Sequence, residues 1–269
     1  MIYLKNFWLL ILLVFAIYTS SFAQSPYELS YKKDIPLLTV SFIGTVGALY
    51  YDFNVIPLTS EQIADRVSNP NDINRFDRRA IKSFSGDSQI GSDILLTSSY
   101  VFPFLFLLDQ NSRRDYVPVG IIGAEVILIN GSLTAITKGF AKRARPFVYN
   151  PNVDIALKME KNAKLSFYSG HTSVTSSMCF FSAKVFNDYH PDSKWKPVVW
   201  SAAAIIPAAV GYLRVKAGKH FPTDVITGYI AGGLVGYFIP EIHRKKDKEA
   251  KVGFKIYPGP TSLGMTMTW

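Results

Sequence analysis

Residues 166–186 read SFYSGHTSVTSSMCFFSAKVF, and the way this stretch folds decides the reading of the whole chain. It opens on Ser169-Gly170-His171 and continues as an apolar segment interleaved with Ser and Thr. Ser169 suits a helix N-cap, because its hydroxyl can accept a backbone N–H of the first turn. Small residues along the rest let neighbouring helices approach closely in a membrane. Five more apolar segments flank it: Leu37 to Tyr51, Ile94 to Leu108, Val117 to Thr137, Pro197 to Leu213 and Val225 to Pro240. Several are shorter than the ~20 residues that cross a bilayer comfortably. Glu125 and Asn130 interrupt the third, so one of its faces points into a bundle. The expectation is an all-α, up-and-down bundle of about six core helices embedded in a membrane. A soluble periplasmic helical protein is the competing reading.

Composition narrows the function classes. Of 269 residues, 48% are hydrophobic and 18% charged, against about 25% charged in soluble domains. The net charge is +9. The basic residues are scattered between apolar segments and form no nucleic-acid module, so nucleic acid is excluded as a partner. Anionic phosphates or lipid headgroups fit better. Cys179 is the one cysteine, which rules out an internal disulfide, and its apolar surroundings predict an inert buried thiol.

Four regions follow along the chain. Residues 1–23 form a signal peptide or an N-terminal membrane segment: Lys5, an apolar run from Phe7 to Ile17, then Ser21-Phe22-Ala23 before a cleavage site. Residues 24–92 hold an N-terminal helix and a polar insertion from residue 52. Within it, Asn69-Pro70-Asn71-Asp72 predicts a turn, and Asn74 to Arg79 opens an amphipathic helix, read as a solvated structural element or a lid. Residues 93–242 form the helical-bundle domain, and residues 243–269 a basic polar tail with a strand-like or disordered end. His190 and His243 lie in polar stretches and read as surface residues.

Three blocks carry the chemistry: Lys138-x6-Arg145-Pro146, Ser169-Gly170-His171 and Arg214-x5-His220-x3-Asp224. Counting segments, all three fall at one end of an up-and-down bundle. Transfer of a phosphoryl group is catalysed by positioning and by stabilising charge on its equatorial oxygens. Arg145 and Arg214 can each grip two oxygens, and Lys138 adds a point charge. Their seven-residue spacing puts Lys138 and Arg145 on one helix face, while Pro146 disfavours helix at Arg145. Gly170 lets backbone approach an anion, and the free N–H groups of a helix N-terminus attract it. His171 could protonate a leaving alkoxide. Pro222 suits the first turn of the next helix, which places Asp224 where its carboxylate can hold one imidazole nitrogen of His220 protonated. Singly, each block has a plain reading: interface cations, a chance tripeptide, a capping Asp beside a chance His. In order and at one end, they specify phosphoryl transfer with no metal among the ligands.

These blocks resemble the type-2 phosphatidic acid phosphatase superfamily, which includes bacterial acid phosphatases and vanadium haloperoxidases. Its pattern is Lys-x6-Arg-Pro, Pro-Ser-Gly-His and Ser-Arg-x5-His-x3-Asp. The match runs from Lys138 to Asp224, and the bundle extends the likeness to about residues 90–240. The resemblance implies His220 as nucleophile forming a phosphohistidine, His171 as general acid and Asp224 as partner of His220. It implies phosphate binding by Lys138, Arg145, Ser169, Gly170 and Arg214, with no cofactor and no metal. Tyr168 stands where the family usually has proline, and Leu213 where it often has serine. Tyr168 is expected to alter the approach to the phosphate pocket. The implied activity is hydrolysis of a lipid phosphate or diphosphate, of the phosphatidic acid or polyprenyl diphosphate type, in a bacterial-type cell envelope. The implied site faces the periplasm from the inner membrane. A soluble periplasmic acid phosphatase acting on small phosphate esters is the alternative, followed by a vanadium haloperoxidase and a catalytically silent membrane scaffold.

Overall fold

All six apolar segments form helices, and their ends are set by local chemistry. A computed structural model describes residues 25–245, 253–258 and 263–268; the expected signal or membrane segment at 1–23 lies outside them. Helix α1 spans Tyr31–Phe53, α2 Ser60–Ser68, α3 Gly86–Ser99 and α4 Tyr116–Ala141. A short α5 spans Ile155–Lys158, followed by α6 Gly170–Tyr189, α7 Lys196–Lys216 and α8 Pro222–His243. Six of these, α1, α3, α4, α6, α7 and α8, make the bundle, and 3₁₀ turns fill the connections. The tail carries a two-stranded antiparallel hairpin, β1 Gly253–Pro258 with β2 Leu263–Thr268.

The second apolar segment departs from expectation. Its helix starts at Gly86, where the Ser85 hydroxyl accepts from Ser88 N at 3.3 Å, and ends at Ser99. Pro103 lacks an N–H and disfavours α-helix before it, so residues Phe102–Leu107 form a 3₁₀ helix instead. The polar insertion also differs. Asp77, Ala80 and Ile81 of the 3₁₀ helix Asp77–Lys82 are buried, and Ala80 and Ile81 pack with Phe221 under the N-terminus of α8. This part of the insertion is amphipathic, as expected, but its buried face is a strut for that helix, while Arg75, Phe76, Arg78 and Arg79 stay exposed.

Polarity is arranged outside-in. Val40, Phe42, Ile94, Phe140, Ile205, Ile230 and Leu234 are exposed, while Ser169, Thr172, Ser173, Thr175, Ser176 and Ser177 of the α6 region are fully buried. Among the described residues, four stretches, Gly86–Leu107, Arg113–Tyr149, Lys196–Lys216 and Pro222–His243, are long and apolar enough to cross a membrane. Glu125 and Asn130 are fully buried, so α4 does turn a polar face inward. An apolar plug of Tyr27, Ile122, Val126, Met178, Phe181, Val185 and Ile239 fills the bundle at the end away from the three blocks.

Helix α6 packs along α8 through one seam. Gly228, Gly232 and Gly236 recur every four residues and face the carbonyls of Ser169, Ser173 and Ser177, which share that spacing. A Cβ added at these glycines would sit 2.6, 2.0 and 2.3 Å from the three carbonyl oxygens. Only bare backbone fits. On the other side of the bundle, α1 lies on α4 through Thr45 Oγ1 and Ser132 Oγ at 2.8 Å, with Ser132 Oγ donating to Ser41 O at 2.6 Å.

Gly232→Ala should therefore cost about 1–3 kcal/mol of overpacking and depress turnover with it. Gly233→Ala, whose added Cβ meets the Ser176 side-chain hydroxyl at 3.3 Å rather than backbone, should cost less on both counts. Thermal unfolding in detergent measures the contrast; equal effects from the two would show that the seam is not a tight constraint.

Candidate active site

The N-termini of α6 and α8 lie side by side, joined by Ser169 N donating to Asp224 O at 3.0 Å. Pro222 occupies the first turn of α8, and Asp224 folds back so that its Oδ2 accepts from Phe221 N at 2.9 Å. Just before the helix, His220 is 1% exposed. Its Nδ1 lies 2.7 Å from the carbonyl oxygen of Ser166. A carbonyl only accepts, so Nδ1 carries the hydrogen and Nε2 keeps its lone pair. Burial, then Arg145, Lys138 and Arg214, hold the His220 pKa well below the ordinary histidine value. The imidazole is neutral, with its free nitrogen among cations.

Asp224 plays a different part from the expected one. Its Oδ2 is 3.7 Å from His220 Nδ1, too far for a hydrogen bond. It accepts instead from Ser166 Oγ at 2.6 Å and from Arg143 Nη1 at 2.6 Å. Asp224 thus orients Ser166, and the Ser166 carbonyl orients His220. Arg143 was not singled out in the sequence. Its Nη2 also donates to Asp77 Oδ2 at 2.7 Å, and its guanidinium lies 4.2 Å from the centre of the Phe221 ring. Asp77 in turn accepts from Thr223 N at 3.0 Å and Thr223 Oγ1 at 2.6 Å, capping α8. Burial alone would raise the Asp77 pKa; bonds from Thr223 and Arg143 outweigh it and bring the pKa below the ordinary carboxylate value.

The cations come from three elements. Helix α4 ends at Ala141, and Lys142 turns left-handed at φ 43° and ψ 34°. Arg145 is extended, at φ −76° and ψ 156° ahead of Pro146, so Lys138 and Arg145 do not share a helix face. The two converge because the turn at Lys142 brings the chain back. Arg145 is 4% exposed; its Nε and Nη2 donate to Asn162 O at 2.8 Å and Asn162 Oδ1 at 2.7 Å, and its Nη1 to Lys219 O at 3.1 Å. Lys138 Nζ lies 3.8 Å from where a Cβ on Gly170 would be, over the start of α6. Ser169 caps that helix, its Oγ 3.4 Å from Thr172 N. Arg214, 5% exposed, reaches Ser92 Oγ and Asp93 Oδ1 with Nη1, both at 3.3 Å. Among the described residues its Nε has no hydrogen-bond partner. Burial and the nearby Arg145 and Arg214 lower the pKa of Lys219, a further cation at this rim.

His171, at the start of α6, places Nε2 2.8 Å from Asp93 Oδ1. Asp93 sits just before the second apolar segment, where nothing in the pattern marks it. Tyr168 is 4% exposed and its hydroxyl accepts from Thr134 at 3.2 Å. It fills the space between α4 and α6 rather than the approach to the pocket.

Lys138, Arg145, Ser169, Gly170, His171, Arg214, His220 and Asp224 are thus gathered at one end of the bundle. They offer guanidinium and ammonium groups, free helix N–H groups, and two imidazoles with different surroundings. That arrangement can hold a tetrahedral anion against a neutral nitrogen nucleophile.

Comparison with known proteins agrees with the reading of the blocks. The PAP2 superfamily pattern matches residues 119–248, which contain all three. A lipid A 4'-phosphatase of Porphyromonas gingivalis is 26% identical over 153 residues, 56% of this chain and 60% of that protein. A phosphatidylglycerophosphatase B of Bacillus subtilis is 29% identical over 127 residues, 46% of this chain and 59% of that one. The chain thus spans about three fifths of the length of these two relatives. A solved structure of a transmembrane PAP2-type phosphatidylglycerolphosphate phosphatase from Bacillus subtilis aligns over 82% of this chain and 100% of its own, at 22% identity and a TM-score of 0.45.

Removing Arg143 leaves Asp77 and Asp224 buried without their shared counter-charge. Arg143→Ala should lower stability by about 3–5 kcal/mol and cut turnover, and Arg143→Lys should recover only part, since one ammonium cannot reach both carboxylates. Asp77 adds a pH signature. Because its folded pKa is depressed, its contribution is present above the unfolded value near ~4 and is lost as pH falls below it. Asp77→Asn should flatten that acid limb in unfolding curves; an unchanged limb would show that Asp77 does not carry it.

Proposed function

We propose that this chain, whose residues 119–248 belong to the PAP2 superfamily, is a metal-independent phosphatase of lipid phosphates or diphosphates. The observation that carries the reading is the His220 tautomer: Nδ1 is committed to the Ser166 carbonyl, Nε2 keeps its lone pair, and Arg145, Lys138 and Arg214 are close enough to the ring to lower its pKa.

In this reading the phosphoryl oxygens lie against those three cations and the first N–H groups of α6. His220 Nε2 attacks phosphorus, the P–O bond to the leaving group breaks, and His171 gives its proton to the departing alkoxide. Water then attacks the phosphohistidine, His171 takes the proton, and phosphate leaves with His220 neutral again. The Ser166 carbonyl stabilises the charge that builds on the ring during both steps. Ser169 and Gly170 shape the anion-binding turn.

The chain is a membrane protein, with membrane-capable helices and lipid-phosphatase relatives. Apolar outer faces favour a lipid substrate over a soluble ester. Both relatives' names describe phosphatases of lipids. We place the site on the periplasmic face of the inner membrane. Helix α1 begins at the opposite end of the bundle, so this orientation puts Ser25 on the cytoplasmic side and is incompatible with export and cleavage after Ala23.

Phosphate release from micellar phosphatidic acid or a polyprenyl diphosphate should persist in EDTA and stop with vanadate. Loss on chelation, reversed by a divalent ion within the same short assay, would contradict the mechanism. His171→Ala should keep a larger fraction of wild-type rate on an activated aryl phosphate than on the lipid, because an aryl oxide leaves without a general acid. For orientation, Asn152→Cys on the site's exposed rim should react with a membrane-impermeant maleimide in intact cells, while buried Cys179 stays silent. Labelling only after lysis would put the site in the cytoplasm.

A further inference from the structure

At the other end of the bundle, Asp34, Glu125 and His243 converge from the first turn of α1, from α4 and from the last turn of α8. One ligand atom from each lies within 4.8 Å of the other two. His243 was expected at the surface, yet it is 0% exposed: the last turn of α8 is covered by the N-terminal segment, with Glu28 N donating to His243 O at 2.8 Å and Lys245 N to Pro26 O at 2.8 Å.

His243 Nδ1 lies 2.8 Å from the carbonyl oxygen of Ile239. That carbonyl accepts, so Nδ1 carries a hydrogen, and Nε2 is the nitrogen turned toward the carboxylates. Nε2 is 2.9 Å from Asp34 Oδ1 and 3.2 Å from Glu125 Oε2. Asp34 is oriented through its other oxygen, which accepts from Ser30 N at 2.9 Å. Glu125 is fully buried, and among the described residues neither of its oxygens has a hydrogen-bond partner. An imidazole nitrogen and two carboxylates therefore meet in a buried space. Such a group is costly unless a positive charge lies at its centre.

We propose that Asp34, Glu125 and His243 bind one divalent transition-metal ion of the zinc or manganese class. One nitrogen and two carboxylates match the donors those ions take, and a +2 ion balances both carboxylates. Ligand atoms around a tetrahedral ion with bonds of about 2.0–2.1 Å stand roughly 3.4 Å apart, close to the spacings here. A histidine ligand held by a backbone carbonyl through its other nitrogen is the usual outer support of a metal site. Asp224 and His243 are nineteen residues apart on α8, about 28 Å at ~1.5 Å per residue, so the ion takes no part in phosphoryl transfer. It ties α1, α4 and α8 together where Lys33 Nζ also reaches Ile242 O at 3.0 Å.

The test uses the full chain in detergent, purified from medium containing zinc and manganese. Metal per chain is read by mass spectrometry after dialysis, and thermal unfolding is followed with and without a strong chelator. Wild type should hold close to one equivalent. Chelation should lower Tm by about 5 °C or more, restored by Zn²⁺ or Mn²⁺, while phosphatase turnover of the still-folded protein stays within twofold. Glu125→Gln and Asp34→Asn should lose the equivalent and the metal-dependent shift. A folded wild-type protein that holds no metal and ignores both ions would overturn the proposal and leave a shared proton in the cluster. So would variants that keep the full equivalent.

Discussion

The contact on which the rest depends is the backbone approach between α6 and α8. Three glycines of α8 lie against three consecutive-turn carbonyls of α6, with no room for a methyl group. In a lipid environment apolar surface gives helices little reason to associate, so close packing of this kind has to supply it. The same approach sets the chemistry. It holds two helix N-termini together, one bearing His171 and the other following His220, and aligns Ser169 N with the Asp224 carbonyl. Widen the seam, and both the anion-binding turn and the nucleophile lose their common frame.

Around that frame, buried charge is matched link by link. Asp77 caps α8 and accepts from Arg143; Arg143 also holds Asp224; Asp224 holds Ser166; and the Ser166 carbonyl fixes the His220 tautomer. Each link removes one degree of freedom from the ring that carries the lone pair. Arg145 is similarly locked by Asn162 and Lys219, so its position is set before any anion arrives. Preorganised donors of this kind stabilise developing charge without reorganisation during the reaction. At the far end, Asp34, Glu125 and His243 form a second buried cluster of ionisable groups.

The bundle and the three blocks were legible in the sequence for physical reasons. Lipid-facing helices must be apolar along much of their length, and phosphoryl transfer demands Lys, Arg and His in particular places. What supports them was not legible. Arg143 is one of seven basic residues between 138 and 164, and nothing local says that it alone bridges two carboxylates. Its partner Asp77 lies 66 positions upstream, in an insertion that reads as solvated. The shared helix face for Lys138 and Arg145 failed because Lys142 is left-handed and ends the helix before Arg145. Asp93 carries no signal in the sequence and His243 reads as a surface residue because their surroundings in sequence, the edge of an apolar run and a charge run, do not match those in space. Asp224 was read as touching His220 directly, since a four-residue spacing does not reveal a serine 58 positions away inserted between them.

The central claim is that Nε2 of His220, in the tautomer set by the Ser166 carbonyl, is the atom to which the phosphoryl group transfers. Its most direct test is a rapid denaturing quench at alkaline pH with radiolabelled substrate, followed by mapping of the labelled peptide under basic conditions. Wild type should yield an acid-labile, base-stable phosphohistidine at residue 220, and His171→Ala should still form it with an aryl phosphate. Label at any other residue, or a trapped phosphoenzyme in His220→Ala, would contradict the account.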